Sequence, residues 1–288
     1  MISVIIPLYN KESSISKTLK SVFNQSFEKF EVIVVNDGST DSSLDKVKNF
    51  VDERLRIINK KNGGVSSARN RGILESKYQY LAFLDADDLW MNNHLEIINY
   101  MIIKYKKKNV NVLGTSFLKN KFKKIDLEKT ESFIGNDFLI ENYFIYASKP
   151  QSLFNSSSFA VKKSFAISKG MFDERLKYME DVEFWYRLLK KSKLAYCKTV
   201  TSIYNTAAEN RSDKSILPLQ YRFHIFDYKR SDKFEKRYFD KLVSLILLDY
   251  FKLKAYRICF LVFLKYWYRL PFILNYYKKL FLKRIVNV

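Results

Sequence analysis

The stretch FLDADDLW, residues 83–90, sets Asp85, Asp87 and Asp88 within four positions, directly after an apolar run. These carboxylates repel one another at neutral pH, although the chain as a whole carries a formal net charge of +21. Such a cluster calls for a cation. In extended backbone, residues two apart face the same side, so Asp85 and Asp87 would present hard oxygen ligands together. These suit Mg²⁺ or Mn²⁺, ions that use one or two protein carboxylates and complete their shell with substrate phosphates and water. The plain alternative is a polar turn in which Asp88 caps the next helix.

Three other sets could share that chemistry. VVNDGSTD ends a strand in a turn and a helix cap, and leaves Asp37 open to accept a hydrogen bond from a base or ribose. It holds one glycine, so it is no dinucleotide fingerprint, and the chain has no G-x-x-x-x-G-K-[ST] phosphate loop. NGGVSSARNRG, residues 62–72, pairs two glycines that permit close backbone approach to a ligand. Its Arg69 and Arg71 could meet phosphate or other acids, or simply dress a surface helix. Glu180 and Asp181 stand at a predicted helix start, where acids complement the dipole. An exposed Asp there is ionised at neutral pH and ready to act as a general base.

The elements that must position these groups alternate in type. SVIIPLY is an apolar run ended by Pro7. Ile15, Leu19, Val22 and Phe23 then follow at helical spacing, with Ser13 or Ser14 as N-cap. FEVIVVND is a second strand, and Leu44, Val47 and Val51 mark a second helix. LRIIN is a third strand, NGGVSSARNRG opens a third helix, and YLAFLDADD is a fourth strand. This alternation predicts an α/β fold with a mostly parallel sheet, whose ligands bind beyond the carboxyl ends of the strands. Asn10, Asp37, Asn62 and Asp85 all fall there. Farther on, residues 119–132 form a charged stretch, NSSSFAVKKSF reads as strand and turn, and Val182, Trp185, Leu188 and Leu189 space a helix.

Composition bounds the rest. Hydrophobic residues make up 47% of the 288, enough for one substantial domain plus an appendage. Two cysteines form neither a disulfide framework nor a zinc pattern, which fits a reducing cytoplasmic setting. The N-terminus reads as a buried strand, not a signal peptide, and no apolar run approaches the ~20 residues needed to span a bilayer, so no transmembrane helix is expected. We therefore expect a domain over residues 1–215 and a helical, basic, aromatic extension over 216–288. From Lys241 onward the chain has ten Lys or Arg, one acid and twelve aromatics. Such a segment favours polyanions or an anionic membrane surface.

Taken in order, VIIPLYNKE, VVNDGSTD, NGGVSSARNRG, FLDADD, GMFDERLKYMEDVEFWYRL and YNTAAENRS resemble the motifs of the family-2 glycosyltransferases, over roughly residues 2–213. The resemblance implies a GT-A fold and a nucleotide-sugar donor, commonly a UDP-sugar. It implies that Pro7, Tyr9, Asn10 and Glu12 contact the nucleotide, and that Asp37 reads the base. Arg69 would lie near the diphosphate, Asp85 would face the ribose or donor sugar, and Asp87 would hold Mn²⁺ or Mg²⁺. Asp181 would be the general base, with Glu180 beside it. One departure stands out. Many relatives carry Tyr-Arg-x-His after the base helix, but here the run is Tyr204-Asn205-Thr206-Ala207, and His224 lies farther downstream.

The reading is an inverting sugar transfer to a hydroxyl of a glycan or lipid-linked saccharide. The bacterial cell envelope is the expected context, with the protein peripheral on the cytoplasmic face of the inner membrane. Two rivals fit less well. A sugar nucleotidyltransferase would need a Gly-rich N-terminal loop, which PLYNKE lacks. A nucleic-acid binder would not line its groove with Asp37, Asp85 and Asp181, so no nucleic-acid partner is expected.

Overall fold

The computed structural model describes residues 1–120, 134–206 and 228–286. Ala207, His224 and residues 121–132 of the charged stretch lie outside them. The chain divides into two compact units, Met1–Glu141 with Leu153–Ser215 and Asn142–Ser152 with Ile216–Val288. The second unit thus takes in a short excursion that a single boundary at 215 does not describe.

The chain runs β1 (Ile2–Leu8), α1 (Ile15–Phe23), β2 (Phe30–Asn36), α2 (Ser43–Lys48), β3 (Leu55–Asn59), α3 (Val65–Glu75) and β4 (Tyr80–Phe83). There follow β5 (Leu89–Trp90), α4 (His94–Lys104), β6 (Val112–Asn120), β7 (Asp137–Ile140) and α5 (Tyr143–Ala147). Then come β8 (Phe159–Lys162), α6 (Lys163–Ser168), α7 (Glu180–Leu189) and β9 (Leu194–Asn205), and last α8 (Lys233–Lys252), α9 (Tyr256–Tyr266) and α10 (Leu270–Val286).

In the first unit the strands form one sheet in the order β3-β2-β1-β4-β8-β6-β9-β5, with β7 on β9. Its first half, β3-β2-β1-β4, is parallel throughout. The second half is mixed: β6 and β9 are parallel, whereas β8 runs antiparallel to β4 and β6. β1 and β2 are buried at every position, as strands covered on both faces must be. Ile2, Val4 and Ile6 cluster with Ile15, Leu19 and Val22 of α1 on one face, and Ile33 and Val35 pack on Ala68 of α3 on the other. α3 lies so close that a Cβ at Gly72 would collide with Cγ2 of Ile5. Only glycine permits that approach.

Two element ends differ from expectation, each for a local reason. β1 does not stop at Pro7 but continues to Leu8, with Pro7 opposite Val35. The Leu84 amide donates to the Ile5 carbonyl, so Ile5 and, two residues on, Pro7 turn their polar groups toward β4. Pro7 has no N–H to offer there, and the β1–β4 register ends at Ile5–Phe83. Pro7 therefore ends β4's pairing, not β1. α2 ends at Lys48, and Val51, expected on its buried face, is fully exposed. Asp52 accepts from the amide and side chain of Arg54, a local turn that competes with further helix.

In the second unit α8 opens with a capping box: Asp232 accepts from the Phe234 and Glu235 amides, and Glu235 accepts from the Asp232 amide. Tyr238 of α8 packs its ring on Tyr143 and Phe144 of α5. Residues 256–278, which cover α9, a 3₁₀ turn and most of α10, form a helical stretch long and apolar enough to cross a membrane by length and composition. The sequence reading, which found no apolar run near that length, overlooked this stretch. It counted unbroken apolar runs, whereas here Arg257, Lys265, Arg269 and Lys278 are spaced among mostly apolar and aromatic residues.

Candidate active site

Because β4 loses its neighbour at Pro7, the chain after Phe83 leaves the sheet and turns, and the Asp88 amide donates to the Asp85 carbonyl at 3.0 Å. The acid stretch is therefore a tight turn and not extended backbone, and its three carboxylates diverge. α1 holds the turn from below. Ser14 Oγ donates to the Ala86 carbonyl at 3.0 Å, and Thr18 Oγ1 lies 3.0 and 2.9 Å from the Ala86 and Asp88 carbonyls. Ser14 occupies the expected N-cap position of α1, but its side chain serves the acid turn and caps nothing.

Each carboxylate meets its own partner. Asp85 accepts from Arg69 Nη2 at 2.7 Å, and Asp87 accepts from Lys11 Nζ at 2.6 Å. Asp88, 0% exposed, accepts from Ser157 Oγ at 2.5 Å and from the Asn205 amide at 2.9 Å. It caps no helix, since α4 begins later, after Asn93. Burial, and then the charges of Asp85 and Asp87, push the Asp88 pKa well up. Asp87 is also raised: burial and Asp85 outweigh the opposing ammonium of Lys11. One lysine does not fully compensate this turn.

The second acid pair begins α7. Met179 before it adopts φ 59°, a left-handed conformation rare for a side chain of its size. Phe184, Trp185 and Leu188 fix the helix against the core, with Trp185 edge-on to Phe154 at 4.9 Å. Asp181 accepts from the Val182 amide at 2.6 Å and from Ser156 Oγ at 3.0 Å. Asp181 keeps some exposed surface, yet enough protein surrounds it that desolvation leads the causes of its shift. With the charge of Glu180 added, its pKa rises to about 7 against the opposing pull of Arg69. It is not the ordinary ionised carboxylate that an exposed helix start would give.

Arg69 joins the two acid sets. Its guanidinium, 2% exposed, donates from Nη2 to Asp85 and from Nη1 to Glu180 at 2.9 Å, and lies over the Phe172 ring at 5.2 Å. Burial opposes its charge, but Asp85, Glu180 and Asp181 more than offset that and hold it protonated. The guanidinium expected to face phosphate is thus committed to carboxylates inside the protein, while Arg71 pairs with Glu75 at the surface.

On the first strands' rim, Asp37 is not open. It accepts from Lys60 Nζ at 2.5 Å and from the Gly63 and Gly64 amides at 3.0 and 2.8 Å, so it anchors the glycine loop. Asn10, at φ 49°, exchanges hydrogen bonds with Thr40, and Glu12 accepts from the Ser42 amide. These bonds tie the loop after β1 to the loop after β2. Tyr9 is exposed, while Pro7 is buried in the strand.

Sequence reading missed Lys11, Lys60, Ser156 and Ser157. The three hydroxyls of Ser156–Ser158 before a buried strand were the only signal for the serines. Among the described residues no three of His, Cys, Asp and Glu converge as a metal site. His94 is buried, stacked on Trp90 at 4.1 Å, and held neutral by a pKa pushed down to about 3. It belongs to the core. A divalent ion would therefore rest on the acid turn, with Asp87 at its edge and oxygens from elsewhere completing its shell. That donor set fits Mg²⁺ or Mn²⁺.

The family model described as glycosyl transferase family 2 matches residues 3–176. The chain belongs to this family. GgaA of Bacillus subtilis, a minor teichoic acid biosynthesis protein, is 31% identical over 212 residues, 67% of this chain and 44% of GgaA. WfgD of Escherichia coli is named UDP-Glc:alpha-D-GlcNAc-diphosphoundecaprenol beta-1,3-glucosyltransferase. It is 32% identical over 127 residues, 42% of this chain and 50% of WfgD. The chain spans between 15% and 61% of the first three relatives it matches. Among solved structures, S. aureus TarS in complex with UDP-GlcNAc aligns over 86% of this chain and 66% of that one, with a TM-score of 0.64 and 20% identity. The mannosyltransferase PcManGT of Pyrobaculum calidifontis, solved with GDP-Man and Mn²⁺, aligns over 74% of this chain and 59% of that one, with a TM-score of 0.55 and 18% identity. The sheet is thus of the GT-A type, as expected.

Proposed function

We propose that this chain moves a sugar, with inversion, from a UDP-sugar to a hydroxyl of a glycan or lipid-linked saccharide of the bacterial envelope. The observation that carries the reading is the bridge from Glu180 through Arg69 to Asp85: one buried guanidinium sets the base motif in register with the acid turn. Asp181 then takes the proton of the acceptor hydroxyl on a carboxylate oxygen. The acceptor oxygen attacks the anomeric carbon as the bond from that carbon to the diphosphate breaks, and the electron pair leaves with the diphosphate. A general base works best with a pKa near the working pH, and Asp181, raised to about 7, meets that need. Ser156 and the Val182 amide hold its oxygens in place. When bound, Mn²⁺ or Mg²⁺ would neutralise charge on the leaving diphosphate, with Asp87 as its protein ligand. The loops carrying Tyr9, Asn10, Glu12 and Asp37 would receive the nucleotide.

The acceptor class and the envelope context rest on what GgaA and WfgD are named for. Membrane association rests on the tail. Phe260, Leu261, Phe263, Leu264, Trp267 and Phe272 are exposed large apolar side chains within a basic segment. Aromatic rings and basic side chains favour an anionic bilayer surface, and we place the protein peripherally on the cytoplasmic face. The test of the function is to titrate nucleotide sugars with and without chelator, following thermal stabilisation and release of UDP. A UDP-sugar that stabilises the protein and turns over only with Mn²⁺ or Mg²⁺ is the expected result. Full turnover in excess chelator would remove the metal from the reading, and no response to any nucleotide sugar would remove the function.

A further inference from the structure

Ser156 and Ser157 are adjacent in the chain and serve the two halves of the site. Ser156 Oγ donates to Asp181 Oδ2 at 3.0 Å. Ser157 Oγ accepts from the Asp85 amide at 3.1 Å and donates to Asp88 at 2.5 Å, both in the acid turn. Residues Ser156–Ser158 form one 3₁₀ turn. With three residues per turn, successive side chains point about 120° apart, so neighbours can face different partners. The turn itself is fixed. Trp90 Nε1 donates to the Ser157 carbonyl, and the Asn155 amide donates to Ser158 Oγ at 2.9 Å. Phe159, next in the chain, stacks on Phe83 at 5.0 Å where β8 enters the sheet.

We propose that Ser156 is a positioning residue for the transfer: it aims Asp181 and favours its ionised form, from the same rigid turn by which Ser157 holds the acid turn. The inference rests on the proposed glycosyl transfer and deepens it. The Val182 amide holds Oδ1 and Ser156 holds Oδ2, so the carboxylate is fixed in rotation while each oxygen keeps a lone pair for the acceptor proton. Burial and the charge of Glu180, on the same helix, favour the protonated acid, and Arg69 of α3, Ser156 and the Val182 amide oppose them. Arg69 also serves Asp85 and Glu180, and the amide is backbone. Among the described residues, Ser156 is the only side chain that donates to Asp181.

The test titrates the Asp181 carboxyl by its carbon-13 resonance in protein labelled at its aspartates, with the signal assigned by its loss in Asp181→Asn. Sugar transfer against pH is followed in the same variants. Ser156→Ala should raise the titration midpoint by about one pH unit, because a donor to the ionised form is lost. Transfer at about pH 6 should fall about tenfold with it, while UDP affinity with Mn²⁺ stays parental. Ser156→Thr, which keeps the hydroxyl, should titrate as the parent. A control, Ser158→Ala, removes a buried hydroxyl of the same turn that bonds to Asn155 and not to Asp181, and should leave the midpoint in place. Should Ser156→Ala not fold by circular dichroism, Ser156→Cys, whose thiol is a weak donor, carries the same expectation. An unmoved midpoint in the folded Ala or Cys variant, or an equal move in Ser158→Ala, overturns the inference, and the transferase reading stands if the parent still transfers sugar. A midpoint that moves as expected in a protein that turns over no nucleotide sugar removes the transferase reading, and the role of Ser156 in transfer with it.

Discussion

On the rim of the sheet, Arg69 is enclosed and donates to Asp85 and Glu180, and Asp37 is enclosed by Lys60 and two glycine amides. In α9, Arg257 stands exposed between Tyr256 and Phe260, which are exposed as well. The two regions use charge differently. On the rim, charges are buried in pairs that fix geometry, and removing one partner leaves the other unsolvated and uncompensated. In the tail, basic side chains such as Lys254 and Arg257 face outward among aromatic rings, where each would act almost independently on an external surface. Among the described residues of the tail, Arg269 and Lys241 are exceptions. Arg269 makes a two-pronged pair with Asp240 and holds α8 to the turn after α9, so it does not belong with the outward-facing charges as the sequence suggested. Lys241 is likewise buried and donates to the Ala147 and Lys149 carbonyls.

The contrast predicts unequal penalties. Arg69→Met should be the most damaging to the fold. It strands two carboxylates in a buried site, and breaking a buried pair costs about 3–5 kcal/mol. Urea unfolding should show a loss of unfolding free energy of that order, and a loss below about 1 kcal/mol would mean that the bridge does not organise the site.

Gly72→Ala tests the scaffold beneath the rim without touching a charge. The added methyl meets Ile5 in the central strand, and overpacking typically costs about 1–3 kcal/mol. Thermal melts that show no change would mean that α3 can shift away from β1, and that Arg69 is less rigidly placed than described.

The smallest effects belong to the tail. Replacing Lys254 or Arg257 with Gln should weaken binding to anionic vesicles at low salt by about 1 kcal/mol each and nearly additively, while folding stability stays unchanged. Equal vesicle binding by the parent and the double variant would show that the basic residues of the tail do not face a membrane.

The parallel half of the fold was legible because strand and helix periods alternate cleanly from Ile2 to Phe83, and the four rim positions follow from where those strands end. The acid turn was misread in one respect that no local pattern reveals. Its backbone turns because Pro7, nearly eighty residues earlier, withholds an N–H from β4, and periodicity carries no record of a partner across the sheet. The partners Lys11, Ser156 and Ser157 were invisible for a related reason. A lysine or serine in a loop has no signature until the fold brings it to a carboxylate. The state of Asp181 could not be read either, because desolvation depends on which residues surround the start of α7.

The central claim is that Asp181, raised in pKa by its enclosure, is the base. The direct measurement is the rate of sugar transfer against pH for the parent and Asp181→Asn at saturating donor and metal. A base must be unprotonated to work. With a pKa of about 7, the parent's rate should therefore rise about tenfold per unit below pH 7 and level off above it. Asp181→Asn should lose about 10²- to 10⁴-fold in rate and lose that rising limb, with UDP affinity little changed. The same group makes a stability prediction of known sign. Its folded pKa exceeds the unfolded value of about 3.9, so its stabilising effect is complete below that value and is lost as pH rises through 7. The Asn variant should accordingly be no less stable than the parent at pH 8. A parent profile flat from pH 5.5 to about 8, or an Asp181→Asn enzyme that transfers sugar at the parental rate, would contradict the account.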